Sequence, residues 1–191
     1  MLIIYILAYA LFAGFFAIER FVRNGKDTKN MNRTSHDKGS TTFISIVMGF
    51  AIIILPITPL LNWLNIGFIH IFLLSLLGLL LGIIGLIVRY IAFITLGRFF
   101  SRTLREAENH TLITHGIYKY IRHPGYLSDL LIFIGLALAM NNLIPIIFIL
   151  LTFAAAYTYR ILTEEKMLIE IFGSQYKEYQ KSSKLLIPFI L

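Results

Sequence analysis

The sequence contains no cysteine, and only 14% of its 191 residues are charged. The lack of cysteine excludes disulfides, thiolate metal sites and a cysteine nucleophile. The apolar fraction is 58%, above the roughly 45 to 50% of an average soluble domain. No polar stretch is long enough to bury a second core, so any chemistry must be built from apolar helices and their loops. The composition predicts an integral membrane protein with a single domain over residues 1–191.

Five apolar stretches approach the roughly 20 residues that an α-helix needs to cross a bilayer. The predicted spans cover residues 1–18, 41–61, 66–88, 126–140 and 143–159. The first lacks the basic start and cleavage site of a secretory signal, and we interpret it as a retained span. The last two are short and joined by the turn-like MNNLIP, which indicates a helical hairpin. The predicted fold class is therefore all-α, with about five transmembrane helices and a cytoplasmic, amphipathic C-terminal helix.

Two further features bear on the helix boundaries. Pro56 and Pro59 are expected to kink or end the second span, because proline removes a helical hydrogen bond. The third apolar run continues past Arg89 through YIAFITLG, which predicts a helix that projects from the membrane.

All 17 lysines and arginines lie in three segments, residues 19–40, residues 89–122 and the tail from residue 160. Because basic residues are retained on the cytoplasmic side, five spans would place the N-terminus outside and both the 89–122 loop and the tail in the cytoplasm. The net charge of +7 then indicates topology and attraction to anionic lipid rather than a nucleic-acid surface. We assign no chemistry to the polar segment 23–40.

The tail after Arg160 is helical in pattern, and two acids stand out in it. Glu165 lies in the middle of its apolar stripe, and Glu164 follows Arg160 by one turn. A carboxylate on a packing face is unfavourable unless a cation or a hydrogen-bond donor meets it. One interpretation is an Arg160–Glu164 ion pair, with Glu165 reaching a cation near the lipid headgroups. The other is a polar pocket inside the helix bundle.

The stretch GIYKYIRHPG at 116–125 precedes the fourth span. Pro124 suits the first turn of a helix, and the free N–H groups of that turn can receive an oxygen-rich ligand. His123 can also be an ordinary loop residue, and Lys119 follows the basic bias of the loop. Asp129 lies within the apolar run, where interfacial solvation and pocket lining are both open. The spacing of the histidines predicts no metal site.

Taken in order, the C-terminal motifs resemble the isoprenylcysteine carboxyl methyltransferase family. The motifs are LGRFFS from 96, HTLITHGIYKYIRHPGY from 110, RILTEE from 160, FGSQYKEY from 172 and LIPFI near the end. The family consists of membrane enzymes that use S-adenosylmethionine, and it is more distantly similar to the phospholipid methyltransferases. The resemblance covers about 95 residues and divides the domain into membrane helices at 1–95 and a cofactor and catalytic part at 96–191.

The resemblance implies a role for twelve residues of the C-terminal half. Arg160 would address the substrate, and Glu165, the second acid of the pair, would share in catalysis. Ser128 stands where such proteins tend to have glycine, so its hydroxymethyl group either narrows the pocket or adds a hydrogen bond. The S-adenosylmethionine site would consist of His110, Thr111, Leu112, Ile113, Tyr118, His123, Pro124, Gly125, Tyr126 and Glu164.

The leading functional hypothesis is methyl transfer from S-adenosylmethionine to the carboxylate of a prenylated cysteine or a similar lipid-linked acid. Methylation of a phospholipid amine is the enzymatic alternative, and it requires a base to deprotonate the ammonium. Glu165, His123 and Asp129 are the candidates for that base. A third hypothesis is a non-catalytic membrane protein or transporter whose buried acids only pair with arginines. The expected partners are the membrane and a lipid-linked substrate, without nucleic acid.

Overall fold

The structure is a computed structural model that describes residues 1–24, 31–33, 37, 39–97, 105–107 and 111–186. Within these residues the chain forms six α-helices, two three-residue strands and one short 3-10 helix at Gly116–Lys119. The elements are α1 (Leu2–Asn24), β1 (Met31–Arg33), α2 (Ser40–Trp63), α3 (Phe72–Leu96), β2 (Arg105–Ala107), α4 (Pro124–Met140), α5 (Leu143–Phe172) and α6 (Ser174–Ser182).

The helices confirm an integral membrane protein with about five spans. Four helices are long and apolar enough to cross a bilayer, namely α1, α2, α3 and α5. The predicted span at 126–140 corresponds to α4, which has only 17 residues. Large apolar side chains such as Leu73, Ile94 and Leu151 remain more than half exposed on the bundle surface, as lipid-facing residues do.

The prolines do not end α2, and the predicted start of α3 is wrong. The second helix does not end at Pro56 or Pro59 but continues to Trp63. The hydroxyl groups of Tyr9 and Thr58 donate to carbonyl oxygens of this region, at Pro56 and Ile54, both at 2.8 Å. Proline is tolerated inside transmembrane helices where neighbouring helices and polar side chains supply other contacts. Helix α3 begins six residues later than predicted, at Phe72, and continues to Leu96, past Arg89 as expected.

The fifth span and the predicted amphipathic tail helix form one continuous helix. Helix α5 has 30 residues, about 45 Å at 1.5 Å per residue, so its last turns extend beyond a bilayer core. It ends at Gly173, whose φ of 56° reverses the chain into α6. The predicted C-terminal amphipathic helix therefore consists of the end of α5 and the separate helix α6.

One short antiparallel sheet departs from the all-α prediction. Strand β1 pairs with β2 in the register Met31 with Ala107 and Arg33 with Arg105. Three-residue polar strands carry no recognisable alternation of apolar residues, so the sequence pattern could not indicate them. The sheet joins the segment after α1 to the segment after α3.

Helices α3 and α4 pack closely through glycine. A Cβ atom added at Gly78 would lie 2.3 Å from the backbone nitrogen of Ala139, and one at Gly135 would lie 2.6 Å from the carbonyl oxygen of Gly78. Small residues allow such backbone contact in membranes, where burial of apolar surface contributes little to helix association. The contact fixes the start of α3 against the end of α4.

The end of the bundle that carries few charges is closed by asparagine. Asn62 donates to the Tyr5 hydroxyl at 2.9 Å and to the Met140 carbonyl at 2.7 Å, and Asn142 donates to Asn62 at 2.6 Å. Asn141, with a φ of 58°, makes the turn of the predicted α4–α5 hairpin. We call this the asparagine end, and the opposite end, with Ser40, Leu96 and Pro124, the basic end.

We expect Gly78→Ala to lower the free energy of unfolding by about 2 kcal/mol or more, because its Cβ would overpack against backbone. Thermal unfolding in detergent measures the change. Gly49→Ala is the matched control, since a Cβ there meets nothing within 4 Å. Equal unfolding temperatures for the two variants would contradict the glycine contact.

Candidate active site

A cavity of about 390 Å³ lies at the basic end of the bundle. Its wall combines polar groups from the loop before α4 and from α5 with apolar side chains from α1 and α2. The apolar part includes Phe15, Ile44, Met48 and Ile52. A mixed lining of this kind, at this volume, suits one ligand of cofactor size with an apolar neighbour.

The loop before α4 is held by the C-terminal segment. The backbone of Arg122 donates to Lys184 at 2.8 Å, and the backbone of Lys184 donates to Tyr120 at 2.9 Å. The Tyr179 hydroxyl donates to the Tyr118 carbonyl at 2.6 Å. Burial raises the pKa of Tyr179 to about 12, so its hydroxyl remains a donor at neutral pH. These contacts place residues 111–123 over the cavity.

Glu165 anchors this loop from α5. Its carboxylate accepts from Arg122 Nε at 2.9 Å and faces His123 Nε2 at 2.8 Å. It also accepts from the Tyr176 hydroxyl at 2.6 Å and from Gln180 at 2.5 Å, both on α6. Burial, and then the adjacent Glu165 carboxylate, raise the pKa of Tyr176, which keeps that donor protonated. The carboxylate on the apolar stripe is thus met by donors from two directions.

Tyr126 links the two charged residues of α5 that line the cavity, Arg160 and Glu164. Its hydroxyl donates to Glu164 and accepts from Arg160 Nε at 3.0 Å. Its ring stacks on the His123 ring, with centroids 5.4 Å apart. Of the two interpretations of these acids, the contacts favour the polar pocket, since a tyrosine of α4 lies between Arg160 and Glu164.

Arg160 also contacts the start of α2. Its Nη1 donates to Asp37 at 3.0 Å, to Ser40 Oγ at 2.9 Å and to Thr41 Oγ1 at 2.8 Å. Burial alone would raise the pKa of Asp37, but hydrogen bonds from Ser40 and Thr41 and the charge of Arg160 hold it below its ordinary value. Asp37 lies in the polar segment to which the sequence assigned no chemistry.

A second buried arginine joins four helices beside the cavity. Arg89 of α3 donates to Glu19 of α1 and to Asp129 of α4. Asp129 in turn accepts from the Tyr157 hydroxyl of α5 at 2.9 Å. The Arg89 guanidinium also lies 4.8 Å from the centroid of the Phe15 ring, a cation–π distance. Asp129 lines the cavity, so pocket lining is the better of the two interpretations for it.

Most of the residues predicted for the site line this one cavity. Three of the predicted residues are not in the lining. His110 lies outside the described residues, Pro124 is the buried first residue of α4, and Glu165 contacts His123 but not the cavity. Ser128 is buried and donates to the Gly125 carbonyl at 2.6 Å, so it adds a hydrogen bond without lining the cavity. The predicted residues in the lining are Thr111, Leu112, Ile113, Tyr118, His123, Gly125, Tyr126, Arg160 and Glu164.

Several cavity residues were not predicted, because their partners are distant in sequence. Arg89 fitted the basic bias of its segment, and Glu19 lies 70 residues from it. The one signal was that each is a charge at the end of an apolar run, which requires a partner. Within the described residues, no three of His, Asp and Glu are grouped to hold a metal ion.

The fold and the cavity define a polytopic membrane protein with a partly polar cavity at one end of its helix bundle. Residues 76–170 match the model of the isoprenylcysteine carboxyl methyltransferase family. The match covers just under half of the chain and includes the motifs at 110–126 and 160–165 that predict this family.

Known relatives agree. A probable protein-S-isoprenylcysteine O-methyltransferase of Oryza sativa subsp. indica is 36% identical over 118 residues, 61% of this chain and 62% of the relative. The protein-S-isoprenylcysteine O-methyltransferase of Saccharomyces cerevisiae is also 36% identical over 118 residues, 61% of this chain and 49% of the relative. The chain thus spans about half to three fifths of the length of these relatives.

One solved structure is similar in fold. It is the structure of the eukaryotic intramembrane Ras methyltransferase isoprenylcysteine carboxyl methyltransferase, determined without a monobody. The TM-score is 0.59 at 30% identity, and the match covers 77% of this chain and 52% of the other.

We expect Glu165→Gln to lower the free energy of unfolding by about 3 kcal/mol, because it leaves the largely buried guanidinium of Arg122 without its counter-charge. The thermal unfolding temperature in detergent should fall clearly. Glu178→Gln is the control, since that acid is exposed and pairs with Lys181 on the surface. An unchanged unfolding temperature for Glu165→Gln would show that the anchor contributes little.

Proposed function

We propose that this protein transfers a methyl group from S-adenosylmethionine to the carboxylate of a prenylated cysteine or a similar lipid-linked acid. The observation that carries the proposal is that two separate motifs of the chain, at 111–126 and at 160–164, line the same cavity. The match to the family model and the names of the relatives supply the reaction class.

The cavity suits S-adenosylmethionine in size and in chemistry. Its volume of about 390 Å³ is within the range of pockets for ligands of this size. Glu164 offers a carboxylate for the hydroxyl or amino groups of the cofactor, and Tyr118 and Tyr126 offer aromatic surface. When bound, the cofactor supplies a methyl group already activated on a sulfonium. The residues of the site then have to orient the acceptor and exclude water.

The candidate bases are already hydrogen-bonded or ion-paired, which supports a carboxylate acceptor over an amine. A carboxylate is ionised at neutral pH and needs no base, whereas an ammonium must first lose a proton. Glu165 faces four donors, His123 Nε2 is taken by Glu165, and Asp129 is held by Arg89 and Tyr157. A base with these contacts is poorly placed to accept a proton from a substrate.

Arg160 would attract the substrate carboxylate to the cavity wall. Tyr126 and the groups at the start of α2 fix the plane of its guanidinium, so the acceptor oxygen can be held in a defined direction. Glu165, by contrast, is a positioning residue in this proposal, because it contacts His123 and Arg122 rather than the cavity. The lipid part of the substrate would lie against the apolar side chains of α1 and α2.

We place the site in the cytoplasm and the N-terminus outside. The basic end holds the cavity, and basic loops of membrane proteins are retained on the cytoplasmic side.

The labelled-methyl assay tests the reaction. Purified protein with methyl-labelled S-adenosylmethionine and a farnesylcysteine analogue should form a base-labile methyl ester, and phosphatidylethanolamine should accept no label. Stable N-methyl label in the lipid would favour the amine reaction. Absence of saturable cofactor binding would remove the enzymatic proposal altogether.

Two substitutions should separate donor from acceptor. Glu164→Gln is expected to raise the KM for S-adenosylmethionine about tenfold, the effect of losing one charge-assisted hydrogen bond. Arg160→Lys should lower kcat with the acid substrate by about tenfold or more, because lysine lacks the planar fork that Tyr126 and Asp37 hold. Equal effects of both variants on cofactor affinity would contradict these roles.

The orientation can be tested with single cysteines, since the natural chain has none. A membrane-impermeant maleimide applied outside intact cells should label Leu64→Cys, next to the asparagine end, and leave Glu178→Cys on α6 unlabelled until the cells are opened. The reverse pattern would overturn the orientation.

A further inference from the structure

Arg160 is a buried cation that requires an anion in every state of the protein. Its side chain is 2% exposed, and an unpaired guanidinium at such a position is strongly unfavourable. The Asp37 carboxylate contacts it directly at 3.0 Å, whereas Glu164 is linked to it through the Tyr126 hydroxyl.

Asp37 is preorganised for this contact by the first turn of α2, the helix that follows it. Its Oδ1 accepts from Ser40 Oγ at 2.6 Å, from the Thr41 backbone N–H at 3.0 Å and from Thr41 Oγ1 at 2.9 Å. These donors belong to the first turn of α2, where the helix dipole also favours an anion. Arg160 and Thr41 line the cavity. Asp37 contacts the guanidinium but is not among the lining residues. The pair is therefore built entirely from groups of the chain itself.

The proposed reaction removes a negative charge beside Arg160. A carboxylate oxygen forms a bond to the methyl carbon, the sulfur–methyl bond breaks, and its electron pair stays on sulfur. The anionic acid becomes a neutral ester, and the sulfonium becomes a neutral thioether. Without Asp37, the product complex would lack the carboxylate that contacts the buried guanidinium directly, because Glu164 reaches it through the Tyr126 hydroxyl.

We infer that Asp37 is the resident counter-ion of Arg160, which neutralises the arginine before the acid binds and after the ester forms. This inference rests on the proposed function. Asp37 competes with the substrate carboxylate for Arg160, so it moderates acid affinity. Because Asp37 keeps the arginine paired once the ester has formed, the ester can leave without exposing a bare charge. Asp37 is thus a positioning and selectivity residue and makes no contact with the reacting atoms.

The test compares acid with ester in the absence of transfer. Affinities of N-acetylfarnesylcysteine and of its methyl ester are measured with S-adenosylhomocysteine present, for the wild type, Asp37→Asn and the control Glu178→Gln. Asparagine keeps the oxygen that accepts from Thr41 but not the charge. We expect Asp37→Asn to raise the acid-over-ester affinity ratio about tenfold, equivalent to the loss of one competing charge contact, and Glu178→Gln to leave it unchanged. An unchanged ratio, or a fall in acid affinity alone, would overturn the inference.

A second measurement needs no ligand. A double-mutant cycle of unfolding temperatures with Asp37→Asn and Arg160→Met should be non-additive, the double variant losing less than the sum of the single ones. Additive losses would overturn the pairing. If the wild type binds neither acid nor ester, the proposed acceptor and the exchange role both fail, and a non-additive cycle then leaves Asp37 as a structural counter-ion only.

Discussion

The neutralisation of buried charge inside an apolar helix bundle is the constraint on which this structure depends. Arg89, Arg160 and Glu165 all lie where neither lipid nor bulk water can compensate them. Each is met by groups from other elements: Arg89 by α1 and α4, Arg160 by α4 and the start of α2, and Glu165 by the loop before α4 and by α6. The same polar contacts that satisfy these charges therefore hold together the basic end of the bundle.

The two ends of the bundle therefore differ in structure: one is closed by hydrogen bonds, and the other surrounds a cavity. The asparagine end is closed by hydrogen bonds among Asn62, Asn142 and the turn carbonyls, and glycine contacts between α3 and α4 fix the approach of the helices along their length. The basic end cannot close in this way, because its charged side chains converge from several elements around a space of about 390 Å³. That space has polar walls towards α5 and apolar walls towards α1 and α2, which matches a reaction between a polar donor and a lipid-linked acceptor.

The sequence allowed the prediction of features that lie within one helix or one motif. It did not reveal contacts between residues that are far apart in the sequence. The helical position of Glu165 showed that a carboxylate would need donors, but Tyr176 and Gln180 reach it only because Gly173 reverses the chain after α5. The motif at 111–126 is contiguous, so its residues were predicted together. Arg89 and Asp37 were missed, since one fitted the basic bias of a loop and the other lay in a polar segment without periodicity. The continuity of α5 was missed because its apolar run gives way to an amphipathic pattern, which was interpreted as a second helix. No helix-breaking residue separates the two parts.

The occupancy of the cavity tests the central claim most directly. An experimental structure of the protein with S-adenosylhomocysteine should show the ligand between residues 111–126 and α5, within hydrogen-bond distance of Glu164, with Arg160 still contacting Asp37. A ligand bound elsewhere, or an empty cavity at saturating ligand, would contradict the assignment of this site to methyl transfer.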